Sequence, residues 1–311
     1  MSQQYAYLRG EFLPLEDANI NIRTHAFLYG TAVFEGIKAY WLPETQEMAV
    51  FRVYDHYRRL SQSSHILRLQ LPLSIDAMVD ITLQLIQKNQ CRQDTYIRPI
   101  VYKADLRIGP ILKVPDTKDD FCLFTVPMAG YLDTEKGIHV GVSPWRRLDD
   151  NAIPARAKVN GAYVNTALAK TDGALCGFDD VVVLTQEGHV AEGSAMNLFL
   201  VRNGQLLTSP VSDNILEGIT RHSVITLAER ELGIQTLCRP LDRTELYIAD
   251  EAFFVGTATE VAPITKFDHR PVGSGQVGAI TRQIRDLYSK VVHGLLPTYE
   301  EWVTRVKVAS L

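Results

Sequence analysis

The sequence predicts a mixed α and β protein of the α+β class that folds as two domains. The chain of 311 residues is long enough for two domains with substantial cores. Its first part combines strand-like runs with two segments of helical periodicity, and its second half is rich in predicted β-hairpins. Because hairpins join antiparallel strands, we expect sheets with much antiparallel pairing.

Two helices are predicted after the first strand-like runs. The first opens at Asp55, which we predict as its N-cap, and Arg59 lies inside it. The second extends from about residue 74 to residue 89 and carries an apolar stripe on one face. Two strands follow, at residues 96–102 and 121–126, because these runs are rich in β-branched and aromatic residues.

A linker is predicted at residues 126–137. Its sequence, VPMAGYLDTEKG, combines a proline, two glycines and three charged residues with no sustained period, which is typical of a domain boundary. The predicted division is therefore a small N-terminal domain of residues 1–125, an interdomain loop at 126–137 and a large C-terminal domain of residues 138–311.

The second half contains hairpins and two further helices. Asn203-Gly204 between apolar runs is the strongest turn signal. A helix is predicted to start near Ile219 and to stop at Gly233, and a last one covers residues 279–292. The predicted strands are residues 181–185, a run from 190 onward, 197–202 and 205–208.

One glycine motif is rejected as a cofactor site. Gly273, Gly275 and Gly278 match the GxGxxG pattern of dinucleotide-binding folds. That pattern needs a preceding strand, a helix and a second strand that ends in an acidic residue about 20 positions on. The residues after Gly278 instead predict a helix and an acidic, tryptophan-containing tail. We therefore interpret the glycines as a loop that leads into a helix.

Composition excludes several classes of function. Lys and Arg number 32 against 36 Asp and Glu, with a formal charge of -4 and no basic block, so nucleic acid is not an expected partner. No window has the roughly 20 apolar residues that span a bilayer, and the N-terminus lacks a secretion-signal pattern, so we expect a cytoplasmic protein without a membrane partner. The four cysteines form no CxxC pair, so we expect neither a metal site nor disulfides, and we interpret them as buried small hydrophobes.

The segment from Ile153 to Asn165, IPARAKVNGAYVN, is the strongest candidate for chemistry. It places Lys158 among small and polar residues, with Tyr163 close behind. In a confined site, desolvation favours the neutral, nucleophilic amine that Schiff-base chemistry requires. The pattern alone permits this chemistry without establishing it.

Five further phrases carry a family resemblance. They are HAFLYGTAVFEGIKAY (25–40), TYIRP (95–99), HVAEGSAMNLF (189–199), LEGITR (216–221) and LYIADEAFFVGTATEVAPI (246–264). In order and spacing they resemble the branched-chain aminotransferases, which are class IV aminotransferases and fold type IV enzymes of pyridoxal 5'-phosphate (PLP). The resemblance extends from about residue 5 to residue 290. It implies transfer of the amino group between leucine, isoleucine or valine and 2-oxoglutarate, in two half-reactions, by a homodimer or higher homo-oligomer.

The resemblance also implies roles for cofactor-binding residues. Lys158, in the large domain, corresponds to the lysine that joins the cofactor and then moves a proton. Tyr163 corresponds to the tyrosine at the cofactor O3′, and Glu192 to the carboxylate at the ring nitrogen. On pattern alone Arg58 is as good a candidate as Arg59 for the phosphate. The remaining phosphate-site residues that the resemblance implies are Arg59, Gly218, Ile219, Thr220 and Thr257.

A further set of residues is implied for the carboxylates of the substrate. Tyr96 and Arg98 are two positions apart on a predicted strand, so both point to one face. By resemblance, the tyrosine helps to hold the α-carboxylate and the arginine meets the distal carboxylate of glutamate. The amides of Thr257 and Ala258 face the α-carboxylate, and Gly36 lies among the substrate-binding positions.

The apolar wall for the substrate side chain is implied at Phe34, Tyr29 and Tyr131. Met128 stands where many members of the family have a tryptophan, and Lys38 stands where arginine is frequent. A flexible thioether in place of an indole is expected to loosen the surroundings of the substrate. Since Tyr131 falls in the predicted linker, we expect that loop to cover the active site.

Three alternatives stay open. A D-amino acid aminotransferase or an aminodeoxychorismate lyase has the same fold, although the YGTAVFEG, YIRP and GTATEVAPI phrases favour the branched-chain group. A catalytically silent binding protein is the third alternative. The presence together of Lys158, Glu192 and Arg59 argues against it.

Overall fold

The chain divides into two compact units, each with its own sheet. The computed structural model describes residues 3–113, 115–128 and 136–308. The first unit comprises Met1–Ala129, Ala157–Gly161 and Val291–Leu311, and the second comprises Gly130–Arg156 and Ala162–Lys290. The mixed α and β class and the presence of two domains are confirmed.

The sheet of the first unit is antiparallel at each of its pairings. Within the described residues the strands are β1 (Tyr5–Leu8), β2 (Glu11–Pro14), β3 (Ala32–Phe34), β4 (Ile37–Leu42), β5 (Glu47–Phe51), β6 (Thr95–Lys103), β7 (Asp119–Pro127) and β17 (Val303–Lys307). They lie in the order β17-β5-β4-β6-β7-β1-β2, and β3 also pairs with β6. The helices are α1 (His25–Tyr29), α2 (Val53–Ile66) and α3 (Ile75–Lys88).

The units differ from the predicted division of the chain in two places. Strand β17 pairs with β5, so the C-terminal segment belongs to the first unit. The segment that carries Lys158 also belongs to the first unit. Val33 and Val159 form an isolated bridge there, and the Phe34 amide donates to the Lys158 carbonyl at 3.0 Å.

The start of α2 corrects one prediction. The helix begins at Val53, and its N-cap is Arg52, which has a left-handed backbone with φ of 49°. Asp55, the predicted N-cap, lies in the first turn, where its carboxylate pairs with Arg52 at 2.6 Å and with Arg58 at 2.7 Å. The acidic group therefore sits at the positive end of the helix without capping it.

The sheet of the second unit has nine strands among the described residues. They are β8 (Ile138–Arg146), β9 (Asp180–Leu184), β10 (Val190–Gly193), β11 (Asn197–Arg202), β12 (Gln205–Thr208), β13 (Thr236–Cys238), β14 (Glu251–Gly256), β15 (Glu260–Phe267) and β16 (Arg270–Pro271). Their order is β10-β9-β8-β15-β14-β11-β12-β13, with β16 beside β15. Strand β8 pairs in parallel with β9 and β15, and β12 pairs in parallel with β13, whereas the other pairs are antiparallel. The remaining helices are α4 (Tyr163–Leu175), α5 (Ile219–Leu232) and α6 (Ala279–Val292).

The rejected glycine motif is a loop before α6, as predicted. The Glu251 carboxylate accepts hydrogen bonds from the amides of Ile280 and Thr281 at 3.1 and 2.7 Å. A Cβ at Gly278 would overlap with this carboxylate, so only glycine fits there. Because a protein carboxylate already occupies the start of α6, this helix offers no place for a dinucleotide phosphate.

The expectation that all four cysteines are buried is wrong for two of them. Cys91 is buried and Cys122 half-buried, whereas Cys176 and Cys238 are exposed. Both exposed cysteines lie at the ends of elements at the surface of the second unit, α4 and β13. All four are free thiols. Across the described residues, no helix has the length and apolar character needed to cross a membrane.

Candidate active site

The main chain of Lys158 is fixed from both sides within the first unit. Its amide donates to the Ser63 hydroxyl at 3.2 Å, and its carbonyl accepts from the Phe34 amide at 3.0 Å. The half-buried side chain places its amine 5.0 Å from the centre of the Phe34 ring. Strand β3 and helix α2 together therefore set the position of the main chain that carries this amine.

The ring of Phe34 is contacted by the side chains of Arg98 and Lys158. Its ring centre is 4.2 Å from the guanidinium carbon of Arg98, and the Lys158 amine contacts the same ring. Arg98 also donates to the Tyr96 hydroxyl at 2.8 Å. Tyr96 and Arg98 thus share one face of β6, as their spacing predicts. A Cβ at Gly36 would overlap with the Tyr96 hydroxyl, so glycine is required for this arrangement.

Arg59 belongs to a buried charge cluster. Its Nε and Nη2 donate to the two oxygens of the Glu35 carboxylate at 2.6 and 2.7 Å, and His56 Nδ1 lies 2.7 Å from Glu35 Oε2. Complete burial raises the pKa of Glu35, but Arg59 and His56 hold it well below its ordinary range. Burial lowers the pKa of His56. Arg59 is therefore held by an ionised carboxylate inside the unit.

The structure distinguishes Arg58 from Arg59, which the sequence left as equal candidates for the phosphate. Arg58 has a side chain that is 62% exposed and pairs with Asp55 at the surface. His56, Arg59 and Ser63 are spaced three and four positions apart, so they lie on one face of α2. This buried face carries both the Glu35 cluster and the main-chain contact to Lys158.

Two other predicted substrate residues have surroundings of their own. Tyr29 packs on His25 with ring centres 4.7 Å apart, and its hydroxyl accepts from the Gly109 amide at 3.0 Å. Half-buried Met128 donates its amide to the Asp94 carbonyl at 2.9 Å. These contacts do not join either residue to Phe34. Of the predicted covering loop at 126–137, the first two residues belong to β7, and Tyr131 lies outside the described residues.

Glu192 lies in the second unit near the end of β10, and both of its carboxylate oxygens have donors. Oε1 lies 2.9 Å from Arg147 Nη2. Oε2 accepts from Asn197 Nδ2 at 3.0 Å and from the Leu216 amide at 3.2 Å. Glu192 is only 4% exposed. A buried carboxylate with these partners favours its ionised form.

Helix α5 begins close to Glu192. Its N-cap, Gly218, supplies no side chain to the amides of the first turn, which includes buried Ile219 and Thr220. Asn197 Nδ2 donates to the Leu216 carbonyl at 3.0 Å as well as to Glu192. A Cβ at Gly218 would overlap with the Asn197 amide oxygen. Glycine thus permits the close approach that brings a positive helix end beside Glu192.

The segment after Glu192 also contacts the turn between β14 and β15, where Thr257 and Ala258 are half-buried. The Thr259 hydroxyl, in that turn, donates to the Met196 sulfur at 2.9 Å. At the start of α4, Tyr163 lies one turn before Thr166, whose hydroxyl donates to the Ser194 carbonyl at 3.0 Å.

The predicted residues therefore divide between the two units. In the first unit, Lys158 lies with Phe34, Tyr96 and Arg98, and Arg59 lies on α2 with Glu35. In the second unit, elements adjoining Glu192 carry Tyr163, Gly218, Ile219, Thr220 and Thr257. Among the described residues, no cluster of side chains suits a metal ion. Sequence reasoning missed four residues that hold the predicted ones, namely Glu35, Ser63, Arg147 and Asn197. Glu35 and Asn197 lie inside the quoted phrases, so their position there was the available signal.

Comparison with known proteins gives consistent matches over nearly the whole chain. The profile of the family described as amino-transferase class IV matches residues 32–267, which is most of the sequence. A probable branched-chain-amino-acid aminotransferase of Aquifex aeolicus is 44% identical over 98% of this chain and 97% of its own length. The similarity is therefore not confined to the quoted phrases.

Solved structures agree with this relative. The branched-chain aminotransferase of Thermoproteus uzoniensis with norvaline superposes with a TM-score of 0.92 and 37% identity, over 98% of this chain and 99% of that one. The branched-chain amino acid aminotransferase of Thermobaculum terrenum in its PLP-form has a TM-score of 0.93 at 36% identity, over 99% of each chain. The fold of this chain thus matches theirs over nearly its full length.

Proposed function

Because this chain belongs to the class IV aminotransferases, we propose that it is a branched-chain aminotransferase that uses PLP. It exchanges the amino group between L-leucine, L-isoleucine or L-valine and 2-oxoglutarate in two half-reactions. The observation that carries this proposal is the amine of Lys158, which is held against Phe34 in a group that also contains Arg98. Relatives with this name, 35–44% identical over nearly their full length, support it.

The chemistry of the donor groups fits PLP. An aldehyde needs an amine, a pyridine nitrogen that stays protonated needs a carboxylate, and a phosphate needs cations and backbone amides. Lys158, Glu192 and the start of α5 supply these three kinds of group, and Gly218 leaves the helix end without a capping side chain. When bound, PLP supplies the electron sink that makes the substrate Cα–H bond acidic.

We assign the proton transfer to Lys158. Its amine would be the base that moves a proton between the substrate Cα and the cofactor C4′. Its main-chain contacts to Ser63 and Phe34 fix the segment that carries this amine. Tyr163 would donate a hydrogen bond from its hydroxyl to the cofactor O3′.

Glu192 would accept a hydrogen bond from the protonated ring nitrogen. Charged side chains and backbone amides would bind the phosphate. The phosphate ligands that we propose are Arg59, Gly218, Ile219, Thr220 and Thr257. Arg59 is preferred to Arg58 because it is buried and fixed by Glu35, whereas Arg58 points to solvent. A fixed guanidinium loses little conformational freedom when it binds an anion.

For the substrate, we propose two carboxylate sites and an apolar wall. The amides of Thr257 and Ala258, with the Tyr96 hydroxyl, hold the α-carboxylate, and Arg98 meets the distal carboxylate of glutamate. The Phe34 ring beneath the Arg98 guanidinium lets one set of residues accept either an aliphatic chain or a carboxylate. Tyr29 and Tyr131 complete the wall that we propose, and Gly36 and Met128 are further substrate-binding positions.

Replacement of Arg98 by methionine is expected to affect the KM for glutamate and the KM for leucine differently. Methionine keeps the apolar contact with Phe34 but removes the charge, so KM for glutamate rises about tenfold or more while KM for leucine changes little. Steady-state kinetics with each amino acid measure this difference. An equal rise for both substrates would contradict the role assigned to Arg98.

The reaction itself is tested by the absorption spectrum of the purified protein. We expect a visible band of bound PLP that L-leucine converts to the band of the amine form, and D-alanine leaves unchanged. Conversion by D-alanine alone would indicate a D-amino acid aminotransferase. A colourless protein that does not respond to added PLP would disprove the proposed function.

We further propose that the protein is at least a homodimer. The first unit exposes an apolar patch where α1 contacts the loop that follows β6, through a hydrogen bond of 2.8 Å from the His25 amide to the Asp105 carbonyl. Phe27 is 66% exposed and Ile108 is 80% exposed. Patches of this kind on a folded protein mark interfaces. The patch consists of Ile22, Phe27, Leu28, Leu106, Ile108 and Ile111.

A double substitution in the patch, Phe27→Asp with Ile108→Asp, is expected to convert the dimer to monomers. Two carboxylates buried against a second copy of the same patch would lack partners. Light scattering coupled to gel filtration measures the mass. Leu175→Asp, at an exposed apolar residue of α4, is the control and stays dimeric. A monomeric wild-type protein would contradict this proposal.

A cytoplasmic location is also proposed. The four cysteines are free thiols, and two of them are exposed. Reducing compartments preserve free surface thiols, whereas oxidising ones favour disulfides. The thiol content therefore fits the cytoplasm.

A further inference from the structure

Arg147 forms an ion pair with the buried carboxylate of Glu192. Its Nη2 lies 2.9 Å from Oε1, while two donors to Oε2, the Asn197 side chain and the Leu216 amide, are neutral. The Arg147 side chain is only 13% exposed, so solvent screens the pair weakly. Arg147 therefore supplies a positive charge that balances the carboxylate.

The guanidinium of Arg147 is itself held in place. Its Nε donates to the Asn214 carbonyl at 2.8 Å, and the Arg147 amide donates to the Leu184 carbonyl at 2.8 Å. Residue 147 follows β8 directly, and Leu184 ends β9. The Arg147 main chain is thus tied to two strand ends and its guanidinium to the loop before α5, which leaves the side chain little freedom to move away from Glu192.

We propose that Arg147 is a positioning residue for the cofactor, acting through Glu192. A carboxylate buried without a cation tends to take up a proton, and a protonated Glu192 cannot accept a hydrogen bond from a protonated ring nitrogen in the same way. Arg147 keeps Glu192 ionised and fixes Oε1, so that the carboxylate is prepared before the cofactor arrives. This inference rests on the PLP-binding role proposed above for Glu192.

The test compares Arg147→Met with Arg146→Met. Arg146 is the exposed neighbour, so its substitution controls for the loss of one positive charge nearby. Holoenzymes are dialysed to equilibrium against graded concentrations of PLP, and the retained cofactor is read from its visible band. Loss of a residue that supports a binding residue typically weakens binding by about 10–100-fold. We therefore expect the dissociation constant for PLP to rise at least about tenfold in Arg147→Met and to stay unchanged in Arg146→Met.

Further measurements distinguish a positioning role of Arg147 from a general structural role. Without the guanidinium, Glu192 takes up a proton more readily, so PLP is lost on acidification at a higher pH in Arg147→Met than in the wild type. Arg147→Lys restores the charge without the bond to Asn214 and is expected to recover part of the affinity. In a Glu192→Gln background, Arg147→Met should weaken PLP binding no further.

Three outcomes would overturn the proposal. The first is an unchanged dissociation constant in Arg147→Met. The second is an equal loss of affinity with and without the Glu192 carboxylate, which would show that Arg147 acts through the fold instead. The third is a wild-type protein that binds no PLP, which would remove the proposed function as well and is recognised because all variants are then colourless.

Discussion

Lys158→Ala is expected to abolish transamination. In the role proposed for Lys158, the substitution removes both the amine that joins the cofactor and the base that moves the proton between Cα and C4′. Because a positioned general base alone contributes about 10²–10⁴-fold, the rate of the L-leucine half-reaction should fall by about 10⁴-fold. Stopped-flow absorbance of the cofactor band measures this rate. The fold should persist, because the contacts of residue 158 to Ser63 and Phe34 are made by its main chain.

Lys266→Ala is the matched control, since Lys266 is an exposed lysine on β15. Its rate should equal that of the wild type. Borohydride reduction of the wild-type holoenzyme, followed by peptide mass spectrometry, should attach the cofactor to Lys158. Attachment to a different lysine, or a Lys158→Ala variant that retains most of its rate, would refute the assignment.

Glu192→Gln is expected to have the second largest effect. The amide is nearly isosteric but carries no charge. In the role proposed for Glu192, the ring nitrogen would lose the group that keeps it protonated, and the half-reaction should slow by roughly 10²–10³-fold. Arg147 also loses its counter-charge in a site with little solvent, which costs about 3 kcal/mol of folding stability. Kinetics and thermal unfolding report the two effects separately.

Glu187→Gln provides the control, because Glu187 is an exposed glutamate five positions earlier in the turn before β10. It should change neither the rate nor the midpoint of unfolding. Addition of Arg147→Met to Glu192→Gln should recover part of the lost stability, since no buried charge is then left alone. A Glu192→Gln variant with normal kinetics would reject the carboxylate as the partner of the ring nitrogen.

The regular elements were predictable where periodicity and turn chemistry agree. Helices α5 and α6 and strands β11 and β12 lie where the sequence places them, because capping glycines and the Asn203-Gly204 turn bound them clearly. The start of α2 was not predictable, since Asp55 has the chemistry of an N-cap but is taken up by two arginines. Strand β17 was not predicted, because a run of five residues near the C-terminus is recognisable as a strand only from its pairing with β5.

The candidate site residues that lie in the family phrases could be predicted from the sequence. The residues that hold them in place could not. Lys158 and Glu192 stand in recognisable sequence contexts. Arg147 contacts Glu192 from 45 positions away in the chain, and such a long-range ion pair has no local pattern. In the sequence, Ser63 looks like an ordinary helix-surface serine. Only the structure shows that its hydroxyl accepts a hydrogen bond from the Lys158 amide. Support of this kind depends on tertiary packing, which one sequence does not encode locally.

Strand β17 has a consequence for biosynthesis. The ribosome makes chains from the N-terminus, and domains generally fold as units as they emerge. The nine-strand sheet has all its strands once residue 271 has been synthesised, but the other sheet waits for Val303–Lys307 to cover the edge of β5. The unit whose synthesis starts first is therefore completed last. Until Val303–Lys307 has been made, β5 presents an open edge on which chaperones can act and nascent chains can associate.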